Sequence, residues 1–126
     1  MKYFFLLLIL ILPTIANAMC IKPTATQGAI ADISTTIIAL NHTGIIESNP
    51  LGLAGSTLLK IFALNSMENS TPEVREQINN TAGAVWSGAA INNIMALFGA
   101  APVISITTAI ISGLAIYYIP CENKND

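Results

Sequence analysis

Asp32-Ile33-Ser34-Thr35-Thr36, ten mostly apolar residues, then Glu47-Ser48-Asn49-Pro50-Leu51: this stretch decides the fold. It sets two carboxylates and a proline turn inside a segment otherwise apolar enough for lipid. Pro50 disfavours helix at Asn49 and is well placed to open the helix that follows, so the stretch reads as helix, turn, helix. Asp32, Thr36, Ala39, Thr43 and Glu47 recur at helical spacing within an arc of roughly 60–80°. A polar stripe on an apolar helix should face protein and not lipid.

The composition points the same way. Of 126 residues, 53% are hydrophobic and only 10% charged, against the quarter usual for a soluble domain. No Asp, Glu, Lys or Arg occurs anywhere in residues 77–121. A water-soluble bundle of this size needs charges on most of its helices, so the run argues for a bilayer. The formal charge is −2 and basic residues do not cluster, which excludes binding to nucleic acid through phosphate neutralisation. The length fits one domain.

Residues 1–18 read as a signal peptide. Lys2 supplies the positive end, residues 4–12 the apolar core, Pro13 a break, and Ala16-Asn17-Ala18 an A-x-A cleavage signal. An uncleaved anchor is the alternative, and Met19 fits poorly before Cys20 in a lipoprotein signal. Cleavage would leave residues 19–126 as a single helical membrane domain. Export implies an oxidising compartment, where Cys20 and Cys121, at the two ends of the mature chain, are expected to pair. The alternative is two free thiols.

Outward from the opening stretch, residues 21–27 read as a polar lead-in and residues 28–46 as the first helix. Residues 51–64 form the second, with Lys60 snorkelling, and residues 65–77 the main loop outside the membrane. Within that loop Ser70-Thr71-Pro72-Glu73 has the chemistry of a helix start, so a third helix runs from 72 to 98. Gly99-Ala100-Ala101-Pro102 breaks the chain tightly, and residues 103–119 form the last helix, ending in Tyr117-Tyr118 at an interface. Ala84, Gly88, Asn92 and Ala96 repeat every four residues, as do Ser105, Ala109, Gly113 and Tyr117. These two small-residue stripes predict a close antiparallel hairpin. The expected architecture is all-α: a compact transmembrane helical bundle of about four helices. Four crossings return the C-terminus to the side of the N-terminus, which brings the cysteines together.

Asp32 and Glu47 lie fifteen residues apart, about 22 Å along one helix. They cannot form a catalytic pair, so each needs its own partner. Axial height puts Asn92 and Asn93 within reach of Glu47 and Asn49, and offers Lys60 or Arg75 as the cation for Asp32. Polar contacts that fix helix register are the expected role; a proton or ion route is the alternative. His42 is the sole histidine and no cysteine accompanies it, so a metal site is not expected. No nucleophile elbow or Ser/His/Asp set is present, no cofactor is implied, and an enzyme is not expected.

Asp32-x-x-Thr35-Thr36, then Gly44-x-x-Glu47-x-Asn49-Pro50-Leu51, then Asn92-Asn93 resembles a pattern in small bacterial and phage membrane proteins of unknown function. The resemblance covers residues 31–53 and the asparagine pair. It implies a compact membrane bundle of three or four helices with these polar residues inside, and no activity. The exported N-terminus and the two cysteines depart from it. The sequence therefore predicts a bacterial inner-membrane protein with both mature termini in the periplasm, acting as a non-enzymatic interaction or accessory protein of the exclusion or immunity kind. Its partners would be the lipid bilayer and a membrane protein or further copies of itself. Two other classes stay open: an oligomeric pore or ion-coupled carrier, and a secreted helical protein.

Overall fold

The computed structural model describes residues 22–42, 44–45 and 51–118. Four helices follow one another: α1, Ala25–Leu40; α2, Gly52–Glu68; α3, Pro72–Leu97; and α4, Pro102–Tyr118. Among the described residues there is no strand. The chain is therefore an all-α bundle. The expected signal peptide, both cysteines, Thr43, Glu47, Asn49 and Pro50 lie outside the described residues.

Local chemistry sets the helix ends. α1 starts three residues earlier than its apolar pattern predicts, because Thr24 and Gln27 form a capping box. The Gln27 backbone N–H donates to Thr24 Oγ1 at 3.2 Å, and the Thr24 N–H donates to Gln27 Oε1 at 2.9 Å. That satisfies two donors the helix would otherwise orphan. The same helix stops at Leu40, short of the expected residue 46. Asn41 Nδ2 turns back to the Ile37 carbonyl at 2.8 Å, and Gly44 takes a φ of +93°. The expected loop over residues 65–77 shrinks to Asn69, Ser70 and Thr71, since α2 runs on to Glu68 and α3 begins at Pro72. The Thr71-Pro72-Glu73 start of α3 stands where the sequence puts it: Thr71 caps and Pro72 occupies the first turn.

The α3–α4 turn closes α3 with paired bonds. The Gly99 N–H donates to the Ala96 carbonyl at 2.9 Å and the Ala100 N–H to Met95 at 3.0 Å. This Schellman closure requires a left-handed residue, and Gly99 supplies it at φ +75°.

α3 is the hub. It packs along α1 and along α4, whereas α2 touches its neighbours only sparsely. α3 runs parallel to α1 and antiparallel to α4, as an up-down-up-down path requires. The helices approach through glycine. A Cβ at Gly28 would lie 2.9 Å from the Gly83 carbonyl oxygen, and a Cβ at Gly83 would strike that of Pro23. On the other side, Gly88 lies against Ala109, where a Cβ would meet the carbonyl oxygen at 2.8 Å, and Gly113 lies against Ala84. The two small-residue stripes thus face each other.

The interior is made of small and polar groups. Ala25, Ala29, Ala39, Ala84, Ala90 and Met95 are its buried apolar residues, joined by Asp32, Lys60 and Ser105. The large apolar side chains point outward, with Phe62 70% and Phe98 80% exposed, and many leucines and isoleucines around them. No helix among the described residues is long and apolar enough to cross a membrane. The helical bundle expected from the sequence is thus present, while no single helix carries the transmembrane character expected of it.

Candidate functional site

A polar cluster sits where α1, α2 and α3 meet. Asp32 on α1 and Lys60 on α2 are 8% and 6% exposed and form an ion pair, Nζ to Oδ2, at 2.9 Å. Two charges so far from water cost several kcal/mol each unless closely paired and hydrogen-bonded. The cluster supplies both conditions. Lys60 Nζ also donates to Ser56 Oγ at 3.1 Å, one helical turn before it, and lies 5.9 Å from the centre of the Trp86 ring, within cation–π range. The other carboxylate oxygen, Asp32 Oδ1, accepts from Asn93 Nδ2 at 3.1 Å.

Asn93 is the junction. Its amide nitrogen also faces Thr36 Oγ1 at 2.8 Å and Thr35 Oγ1 at 3.2 Å. Two hydrogens serve three side-chain acceptors, so the shortest contacts, to Thr36 and Asp32, carry the interaction. Thr35 is oriented by its own helix, its hydroxyl donating to the Ala31 carbonyl at 2.8 Å. In this way α1 contributes one carboxylate and two hydroxyls, α2 the cation and α3 the amide.

Of the residues singled out in the sequence, Asp32, Thr35, Thr36, Lys60 and Asn93 come together here. Arg75 does not, and its assignment as a cation for Asp32 is corrected. Its guanidinium donates instead to the carbonyls of Glu68 at 2.9 Å, Met67 at 3.3 Å and Ser70 at 3.4 Å. These carbonyls close the C-terminal end of α2, where a cation complements the helix dipole. Asn92 Oδ1 takes no part in the cluster: it is buried and accepts no hydrogen bond among the described residues. Gly88 opposite Ala109 and Ala84 opposite Gly113 fix the α3–α4 register, which places Asn92 level with Ser105. The Ser105 hydroxyl is already spent on the Pro102 carbonyl at 3.0 Å. Glu47, the partner expected for both asparagines, is outside the described residues, as are Asn49 and Pro50, and Asn93 meets Asp32 instead.

Three participants escaped sequence reading. Ser56 stands four residues before Lys60 on the same helix, a spacing that should have linked them. Trp86 reads as a packing residue in sequence, and its ring also faces a buried ammonium. Asn79 Oδ1 accepts from the Ala25 backbone N–H at 2.8 Å, which satisfies an orphan donor of the first turn of α1 from a neighbouring helix. No signal in the sequence marks that contact.

Among the described residues no group of three or more His, Cys, Asp and Glu side chains is placed to hold a metal ion. His42 lies beyond the end of α1, exposed. No protein-family model, curated protein or solved structure matches the chain.

Proposed function

We propose that this chain is a bilayer-embedded helical bundle serving as a non-enzymatic interaction or accessory component of a bacterial inner membrane. One observation carries the reading: the molecule is inverted. Its only ion pair among the described residues is inside, and its large side chains, Phe62, Phe98, Leu58, Ile104 and Ile111 among them, are outside. In water each such exposed side chain forgoes about 1.5–3 kcal/mol of burial. In lipid that cost vanishes, and helices associate through small residues and buried polar bonds, as at Gly28, Gly88 and Asn93.

Helix length is compatible with this reading. α4 is 17 residues without a charge, about 25 Å long at 1.5 Å per residue. A hydrocarbon core of about 30 Å exceeds that by roughly 5 Å, a mismatch that bilayers absorb by local thinning at a fraction of a kcal/mol per Å.

A structural role for the cluster is supported by the pairing of its charges. Both carboxylate oxygens of Asp32 have partners, and Lys60 is held by a carboxylate, a hydroxyl and an aromatic face.

The expected Cys20–Cys121 disulfide belongs to the same proposal. Lys22 Nζ donates to the Tyr117 carbonyl at 3.1 Å, so the described chain starts and ends at one end of the bundle. Cys20 is two residue steps from Lys22 and Cys121 three from Tyr118, spans of up to about 7 and 10 Å. That is enough for the Cα separation of about 4.4–6.8 Å that a disulfide needs. Both cysteines would lie on the exported face after removal of residues 1–18.

Alkaline carbonate extraction of membranes tests the proposal. The chain is expected in the membrane pellet, and released only by detergent. Recovery in the carbonate supernatant as a dispersed monomer would overturn it.

A further inference from the structure

A groove of about 440 Å³ runs along the outer side of the α3–α4 seam. Its floor is Ala84, Gly88, Ala109 and Gly113, and Val85 and Leu114 form its walls. The trough exists because the two backbones approach through residues without bulk: a Cβ on Gly88 would stand 2.8 Å from the Ala109 carbonyl oxygen. At one end the groove reaches Tyr117, and Tyr117 also lines a second, polar cavity of about 390 Å³. That cavity is bounded by Lys22, Glu73, Glu76, Gln77 and Asn80. The two spaces therefore adjoin at Tyr117: an apolar trough beside a cavity that carries one cation and two carboxylates.

We infer that the α3–α4 groove is a binding site for a phospholipid with a primary-amine headgroup, phosphatidylethanolamine in chemical class. The inference rests on the bilayer reading, and charge complementarity selects the occupant. An acyl chain needs an apolar trough open along its side to the surrounding lipid. A phosphate needs a cation with N–H to spare. Lys22 Nζ spends one on the Tyr117 carbonyl at 3.1 Å and has two more to donate. A protonated amine needs carboxylates, and Glu73 and Glu76 are exposed and form no ion pair among the described residues. A purely anionic headgroup would meet two carboxylates against one ammonium and be repelled. A choline headgroup has the positive charge but no N–H to donate. The zwitterion with an ammonium offers an anion to Lys22 and N–H donors to the two carboxylates.

The test is native mass spectrometry of the full chain in mild detergent, with ethanolamine, choline and glycerol phospholipids of identical acyl chains supplied one at a time. The native chain is expected to retain the ethanolamine lipid about two- to fivefold better than the other two, the worth of an exposed ion pair. Glu73→Gln combined with Glu76→Gln, two exposed positions that do not disturb packing, should bring it down to the level of the choline lipid. Ala89→Leu, which adds bulk inside the groove, should lower retention of all three. Equal retention of the three lipids by the native chain, preference for the glycerol lipid, or a preference untouched by the double substitution would each overturn the inference. Carbonate extraction of the same preparations separates the two claims. A chain that stays in the pellet without lipid preference loses the lipid site alone. A chain that is released loses the bilayer reading as well.

Discussion

Two neighbouring asparagines carry opposite burdens. Asn93 joins Asp32, Thr35 and Thr36, whereas the buried Oδ1 of Asn92 accepts nothing among the described residues. An unsatisfied buried acceptor costs about 1–3 kcal/mol. Asn93→Leu should therefore lower stability by that amount or more, and Asn92→Leu should leave it unchanged or raise it, read as detergent-solubilised melting temperatures. A loss on Asn92→Leu comparable to that on Asn93→Leu would show that Asn92 has a partner outside the described residues, Glu47 being the one the sequence nominates. The ion pair gives a second prediction. Removing one partner, by Asp32→Leu or Lys60→Met, should cost about 3–5 kcal/mol, because it strands a buried charge. The two together should cost far less than their sum, measured as a double-mutant cycle. Strict additivity would mean that the pair is not coupled. At this scale the sequence was informative about which residues must be answered. An acid on an apolar helix demands a cation, and Lys60 was one of two in reach. It could not choose between Lys60 and Arg75, since axial height is blind to rotation about the helix. The carbonyls at the end of α2 claim Arg75, and a helix end one turn later than expected is what put them there.

Among the elements, α2 is the one held least. Lys60 is its only buried residue, and its far end is tied by Arg75. Lys60→Ala should therefore loosen α2 selectively. Its amides should exchange about tenfold faster or more, while α1, α3 and α4 keep their protection. Uniform acceleration across all four helices would refute this picture of α2 as a helix docked through one side chain. The crossings of α1, α3 and α4 are held by backbone proximity instead. Gly83→Ala would push a methyl into the Pro23 carbonyl, a clash that no rotamer relieves. It should cost toward the upper end of about 1–3 kcal/mol. Gly55→Ala, in α2, meets only the Leu51 side chain and should be mild. The α3–α4 hairpin was legible because glycine and alanine at every fourth residue, joined by Gly99 and Pro102, leave few other arrangements. The end of α1 was not, because hydropathy runs on through Ile45 and Ile46. Asn41 decided it, by bonding back to Ile37.

For the molecule as a whole, the proposed lipid surroundings rest on composition and on side-chain placement together. The run without charge over residues 77–121 and the outward-facing large apolar side chains are the two observations on which that proposal stands. Short helices add a corollary. In bilayers of matched headgroup, the protein should be more stable in shorter acyl chains than in longer ones, since roughly 5 Å of mismatch is relieved. Oxidised and reduced samples should also differ in gel mobility if Cys20 and Cys121 close the exported end. The most direct measurement concerns the outer surface itself. A spin label placed at Phe62 and, separately, at Ile111, both exposed, reports whether lipid-soluble oxygen or a water-soluble relaxation agent reaches it. Oxygen is expected to dominate at both positions in membranes. Dominance of the aqueous agent at both would contradict the bilayer reading.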